Sequence, residues 1–186
     1  MMSLEHAILG FLNYAPLSGY DLKKAFDTSV RHFWPADQSQ IYRTLSRLAE
    51  RGWVEVEVVP QEDRPSRKVY HVTETGREEL RRWLATPLPP EEPRIPWLVQ
   101  IFFAGQLTDE EILALFEREA EWLRARLERY DQIPQESATY VEQVGSPREA
   151  FFWMLTLEYG VTVNQAMLEW VKGVTERLRR KEQPSE

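Results

Sequence analysis

The segment Thr86-Pro87-Leu88-Pro89-Pro90-Glu91-Glu92-Pro93-Arg94-Ile95-Pro96 carries five prolines. Proline has no amide N–H and its ring clashes with the preceding helical turn, so no helix can pass through this stretch. The chain is therefore expected to divide there, with residues 1–86 and 97–186 joined by a stiff proline-rich linker over 87–96. A length of 186 residues with 42% hydrophobic content is enough to bury a core on either a one-domain or a two-domain plan.

Before the prolines, three short helices are marked by their caps. Ser3 precedes Leu4, Ala7, Ile8, Phe11 and Leu12 at helical spacing, and Pro16 predicts a stop near Asn13. Ser18-Gly19-Tyr20-Asp21 has the form of a capping box ahead of Leu22, Ala25 and Phe26. After the connector Phe33-Trp34-Pro35, Asp37 and Gln40 form a second such box, and Gly52 supplies a left-handed residue to end the third helix. Three short helices with a turn between them are the ingredients of a helix-turn-helix.

Val54 to Val59 and Lys68 to Val72 alternate with period two, and the polar run Pro60 to Arg67 between them predicts a hairpin. A hairpin that follows a recognition-type helix directly is the wing of a winged helix. Thr73-Glu74-Thr75-Gly76 then opens a fourth helix with Leu80, Trp83 and Leu84 on its apolar side. Past the prolines, Trp97 to Ala104 is a short apolar segment. Thr108 to Glu111 starts a long helix with Ile112, Phe116, Ala120, Leu123, Leu127 and Tyr130 on one face, expected to run to about Ile133.

Ser146, Pro147 and Glu149 start the last helix. Leu157, Val161, Asn164, Leu168, Val171, Thr175 and Leu178 recur along it at alternating spacings of three and four, the seam by which helices pair lengthwise. A second stripe, Val163, Met167, Trp170 and Val174, widens the apolar surface beyond what one neighbouring helix covers. A partner subunit is inferred as well as an intramolecular partner, with Leu157, Val161, Asn164, Leu168, Val171 and Leu178 as the dimerisation seam. Asn164 either sets helix register across the dimer or faces solvent. The fold class is thus mainly α with a small β-hairpin: an N-terminal winged helix-turn-helix domain and a C-terminal helical dimerisation domain.

The third helix carries the functional signal, because it serves two surfaces. Ile41, Leu45 and Leu48 make an apolar face, whereas Tyr42, Arg43, Ser46 and Arg47 point elsewhere, with Gln38, Ser39 and Gln40 in the first turn. Planar donors and short hydroxyls are the groups that meet base edges and phosphates of double-stranded DNA in the major groove. Each has a plainer alternative: Tyr42 can finish the helix packing, Gln40 can serve the cap, and Arg43 and Arg47 can be solvated. Arg64, Arg67 and Lys68 suit phosphates at the wing, although Glu62 and Asp63 weaken the local field and a plain polar tip is the alternative. Lys23 and Lys24 on the second helix either touch the backbone or belong to a simple charged face. Trp97, Trp153 and Trp170 either line a pocket for a planar, aromatic or phenolic effector or serve core packing.

Charge neither supports nor excludes DNA. The net −7 arises wholly after the boundary: residues 1–86 hold 12 basic and 12 acidic side chains, residues 87–186 hold 11 and 18, and 11 − 18 = −7. A neutral first part can still bear a basic face. The absence of cysteine excludes disulfides and thiolate metal sites and fits a reducing cytoplasm. The sequence shows neither a signal-peptide pattern nor a stretch that would span a membrane. His6, His32 and His71 lack ligand spacing, and no phosphate loop or nucleophile motif occurs, so neither a metal, a cofactor nor an enzyme is expected.

On Leu9-Gly10, Ser18-Gly19-Tyr20-Asp21-Leu22, Phe33-Trp34, Gln40-Ile41-Tyr42-Arg43-Thr44-Leu45, Arg47-Leu48, Gly52, Tyr70, Thr73 and Gly76, the chain resembles the PadR family of bacterial transcriptional regulators. The resemblance is to its subgroup with an AphA-like, virulence-activator-like C-terminal region. It is tight over residues 3–85 and looser beyond, where it rests on Phe102-Phe103 and two long helices. It implies a winged-helix homodimer on a roughly palindromic operator, dimerised through C-terminal helices, often answering to a small molecule, and by default a repressor. This chain has Arg43 where many relatives have proline. Two other functions fit the residues: a winged helix used as a protein-interaction module without sequence-specific DNA binding, and a protein that sequesters a small molecule.

Overall fold

Ser18, Asp37, Thr73, Thr108 and Ser146 each accept a hydrogen bond from the amide three residues further on, and each starts a helix. The computed structural model describes residues 3–60, 66–90 and 94–182, with backbone alone at 136, 137, 139–141 and 143. Its elements are α1 (Ser3–Tyr14), β1 (Leu17–Ser18), α2 (Gly19–Thr28), α3 (Gln38–Glu50), β2 (Val54–Val59), β3 (Arg67–Val72), α4 (Glu74–Ala85), α5 (Pro96–Phe102), α6 (Asp109–Val144) and α7 (Pro147–Arg179). Single 3-10 turns lie at Val30–His32 and Ala104–Gln106. The chain separates into two units, residues 1–89 and 90–186.

In the first unit α1, α2 and α3 converge on a core of Ile8, Leu9, Leu22, Phe26, Ile41, Leu45 and Leu48, all essentially without solvent exposure. Val54, Tyr70, Val72 and Leu80 extend it beneath the sheet and α4, while Leu84, expected on the apolar side of α4, is exposed. Gly52 takes φ +69° and turns the chain from α3 straight into β2, a conformation that a side chain would strain. β2 and β3 pair antiparallel from Val54 opposite Val72 to Val59 opposite Arg67. The hairpin is not alone. β1 pairs with the other edge of β3, Leu17 opposite Tyr70, giving a three-stranded sheet of order β1-β3-β2. Two residues are too few for a period-two pattern to show in sequence.

Asp21 holds α2 and the wing together. Its carboxylate accepts from the Ser18 amide (3.1 Å) and hydroxyl (2.6 Å) and pairs with Arg67 at the start of β3. Burial pushes the Asp21 carboxyl up, but the Ser18 bonds and Arg67 outweigh this and hold it below its ordinary value.

In the second unit α6 and α7 run antiparallel, since Tyr130 meets Gly160 while Glu117, earlier on α6, meets Arg179, later on α7 (2.7 Å). Phe116, Ala120, Leu123, Leu168 and Val171 form the core, with Trp97, Ile101, Ile112, Leu127, Met167, Val174 and Leu178 packed on it. Two expectations change here. α6 does not stop near Ile133 but continues through Pro134 to Val144; the proline removes one rung of the hydrogen-bond ladder without ending the helix. The α7 seam is engaged within its own chain: Leu157, Asn164, Leu168 and Val171 are buried and Val161 and Leu178 partly so. Asn164 neither faces solvent nor reaches outward, because its amide donates to the Gly160 carbonyl (2.6 Å) on the same helix. An a/d-type spacing shows that a helix has a lengthwise partner, not whose chain supplies it.

The depressed Asp21 carboxyl gives a signed expectation. Its stabilisation is present above the unfolded-state carboxylate range and is lost as pH falls through the lower folded value. Asp21→Asn should cost about 1–2 kcal/mol at neutral pH. In urea melts followed by tryptophan fluorescence, the gap from wild type should close as the pH is lowered; a gap constant down to pH 2 would refute it.

Candidate nucleic-acid interface

Because Ile41, Leu45 and Leu48 are buried to the limit, the opposite side of α3 faces water. Thr44 joins the buried side with 1% exposure. Gln38, Ser39, Gln40, Tyr42, Arg43, Ser46 and Arg47 are all exposed. Helical spacing brings Ser39, Tyr42, Arg43, Ser46 and Arg47 into one strip along the helix.

The strip is ordered by bonds within the helix. The Asp37 carboxylate accepts from the Gln40 amide and the Ser39 hydroxyl, each 2.7 Å, and the Gln40 side-chain oxygen accepts from the Asp37 amide at 2.9 Å. The Gln40 amide bond, the Ser39 hydroxyl and further contacts from Ser39 and Arg43 hold the Asp37 carboxyl below its usual value. Gln40, put forward as a base reader, thus has its oxygen engaged in the cap. Arg43 folds back on the first turn, Nε donating to the Ser39 carbonyl (3.3 Å) and Nη2 to the Ser39 hydroxyl (3.4 Å). The Ser46 hydroxyl donates to the Tyr42 carbonyl (3.2 Å).

Tyr42 packs as well as faces water. A Cβ at Gly19 would lie 2.5 Å from the Tyr42 ring, so the ring lies directly on the first turn of α2, and 41% of Tyr42 is exposed. Burial pushes the Tyr70 phenol up, and nearby Tyr42 adds to this. The packing role of Tyr42 is present in the structure, and it explains Gly19.

At the wing the basic residues separate. Lys68 is exposed opposite Val58, but Arg67 is paired with Asp21, so its charge is already compensated on the protein. Arg64 lies outside the described residues. Arg47 is also engaged, through Glu5 of α1 (3.6 Å) and the Thr44 hydroxyl (3.1 Å). Neither Asp21 nor Glu5 is apparent as a partner from the sequence of α3 and the wing. The signal for Glu5 lies in α1, where it shares a face with Ile8, Leu9 and Leu12.

The tryptophans do not form one pocket. Trp97 and Trp170 meet edge to face, centroids 5.6 Å apart, with Phe116 at 5.7 and 6.0 Å. Trp153 stands apart: 170 − 153 = 17 residues along α7, and at the helical rise this is about 25 Å. Among the described residues no group of three His, Cys, Asp or Glu side chains is placed to hold a metal ion, and no helix is long and apolar enough to cross a membrane.

Comparison with known proteins places this geometry. Residues 8–82 match the model of the transcriptional regulator PadR-like family, and residues 93–179 that of the virulence activator alpha C-terminal region. The chain is 31% identical to the probable transcriptional regulator Rv1176c of Mycobacterium tuberculosis, over 97% of this chain and 100% of that one. The crystal structure of Bacillus subtilis PadR in complex with operator DNA superposes with a TM-score of 0.79 at 27% identity, over 95% of this chain and 99% of that one. The same protein in complex with p-coumaric acid gives 0.75 at 25% identity, over 95% and 98%. The Vibrio cholerae virulence activator AphA gives 0.74 at 26% identity, over 96% and 99%. With a winged helix before the prolines and two long helices after them, the chain belongs to the PadR-like family of transcriptional regulators, with a C-terminal region of the virulence-activator type.

Proposed function

We propose that this regulator is a cytoplasmic repressor that binds a palindromic operator as a homodimer and is released by a small aromatic or phenolic acid. The observation that carries the DNA reading is α3, whose buried side is complete and whose other side presents Ser39, Tyr42, Arg43, Ser46 and Arg47 in one strip. A helix of this kind reads base edges from its N-terminal half, here Gln38, Ser39 and Arg43, with Arg47 one turn beyond Arg43 on the same side, while Tyr42 and Ser46 meet the backbone. Lys68 and Arg64 supply wing contacts. Arg67 serves the wing's attachment to α2 instead. The reading is supported by the relative bound to operator DNA, and repression by the B. subtilis protein described as the negative transcriptional regulator PadR, 27% identical.

The dimer reading rests on what α7 leaves uncovered. Phe152, Tyr159, Val163 and Trp170 are 47%, 70%, 45% and 47% exposed, and with Thr156, Ala166 and Gly173 they repeat at spacings of four and three. This strip lies on the side of α7 turned away from the seam packed on α6, and a second copy would cover it. The effector reading rests on the Trp97–Phe116–Trp170 cluster and on the relative bound to p-coumaric acid.

Selection of bound sequences from a random duplex pool tests the DNA reading. An inverted repeat should be enriched, and p-coumaric acid should reduce its binding; a pool left without enrichment contradicts the proposal. On the selected site Lys68→Ala should flatten the slope of log affinity against log salt by about one. An unchanged slope would remove Lys68 from the interface. For the dimer, Tyr159→Glu with Val163→Glu should sediment as a single chain with helix content intact and bind the operator at least about a hundredfold more weakly. A variant that still sediments as a dimer rules this strip out.

A further inference from the structure

α1 is an apolar helix with a charge in its buried face. Glu5 lies one turn before Ile8 and Leu9, yet it is 4% exposed, as buried as the leucines around it. A carboxylate removed from water is costly unless cations and hydrogen bonds compensate it. Arg47 of α3 and Arg51 at its C-cap do so. Arg51 Nη1 donates to Oε2 at 2.8 Å, and Arg47 Nε stands 3.6 Å from Oε1.

The two arginines are held unequally. Arg51 lies at the C-cap of α3, its guanidinium stacked 5.0 Å above the Trp53 ring, so it is fixed from two sides. Arg47 has the longer contact to Glu5, a second one from Nη2 to the Thr44 hydroxyl, and a side chain 56% exposed. Thr44 is itself buried. Arg47 is therefore gripped along its Nε edge by two buried groups while the rest of its planar fork lies at the surface of the polar strip. A guanidinium has five N–H donors in a rigid plane, so fixing one edge sets the direction of the other.

We propose that Glu5 is a positioning residue for DNA recognition. It holds the guanidinium of Arg47 ready for the operator, while Arg51 keeps the buried carboxylate compensated whichever way Arg47 turns. This rests on the reading of Arg47 as a DNA contact. It assigns to α1 a part in specificity: the side chain that meets DNA is oriented before binding, so less rotamer freedom is lost on contact.

The test is a double-mutant cycle in the full chain, measured on the selected operator and on a scrambled duplex of equal length. Glu5→Gln keeps the shape and removes the charge. It should weaken operator binding about tenfold and leave scrambled-duplex binding within about twofold, because a wandering arginine still attracts phosphate. In the Arg47→Ala background the same change should alter operator affinity by less than about twofold. A merely structural role would lower operator and scrambled binding together, or persist without Arg47, and either result overturns the proposal. Should Glu5→Gln not fold, Thr44→Val, nearly identical in shape, removes the second grip on Arg47; it carries the same expectation and the same refutation. If the operator complex is indifferent to Arg47→Ala, the assignment of Glu5 falls alone. If the wild-type chain selects no operator, the DNA reading falls first and this one with it.

Discussion

The packing of one side of α3 governs the rest of the molecule. Ile41, Thr44, Leu45 and Leu48 leave water entirely, and that burial against α1 and α2 fixes how far the helix can rotate about its axis. The polar strip faces outward as a consequence. A rotation of one residue, about 100° in one sense, would put Gln40, Arg43 and Arg47 into the core and Ile41, Leu45 and Leu48 into solvent, which no cap or wing contact could offset. Asp37 then fixes where the helix begins and Gly52 where it ends, so position, length and rotation are all set by groups within the unit itself.

Polar groups support this frame wherever hydrocarbon alone would leave it free to slide. Asp21 joins the first turn of α2 to the wing, and Glu5 joins α1 to the last turns of α3. Next to Glu5, His6 is 2% exposed; it stacks on Trp83 with centroids 4.6 Å apart and meets Glu79 of α4 at 3.0 Å. Buried contacts of this kind contribute modestly to net stability but select one arrangement over others, because a shifted register would leave a buried charge uncompensated. A recognition surface needs that selectivity more than it needs further stability.

Much of the fold was legible in the sequence, for physical reasons that can be named. The caps at Ser18, Asp37, Thr73, Thr108 and Ser146 are local interactions of three or four residues, so the chain itself displays them. The sides of α3 follow from helical period alone. What was not legible depends on distant residues. β1 is too short for periodicity and exists because β3 has an edge to offer. Pro134 marks a helix end by local rule, yet α6 passes through it. The seam from Leu157 to Leu178 announces a lengthwise partner but carries no label saying which chain provides it, and the partner within the chain is α6. Arg67 and Arg47 look like unencumbered phosphate ligands until Asp21 and Glu5, 46 and 42 residues away (67 − 21, 47 − 5), are brought beside them. The three tryptophans sort the same way, Trp97 with Trp170 and Trp153 elsewhere.

The central claim is that α3 enters the major groove once per subunit of a two-fold dimer. Hydroxyl-radical footprinting of the wild-type protein on its selected operator tests this most directly. Two protected patches on one face of the duplex, centred roughly 34 Å or one helical turn apart and related by the symmetry of the site, are the predicted result. A single patch, or protection that runs evenly along the DNA whatever its sequence, would contradict it.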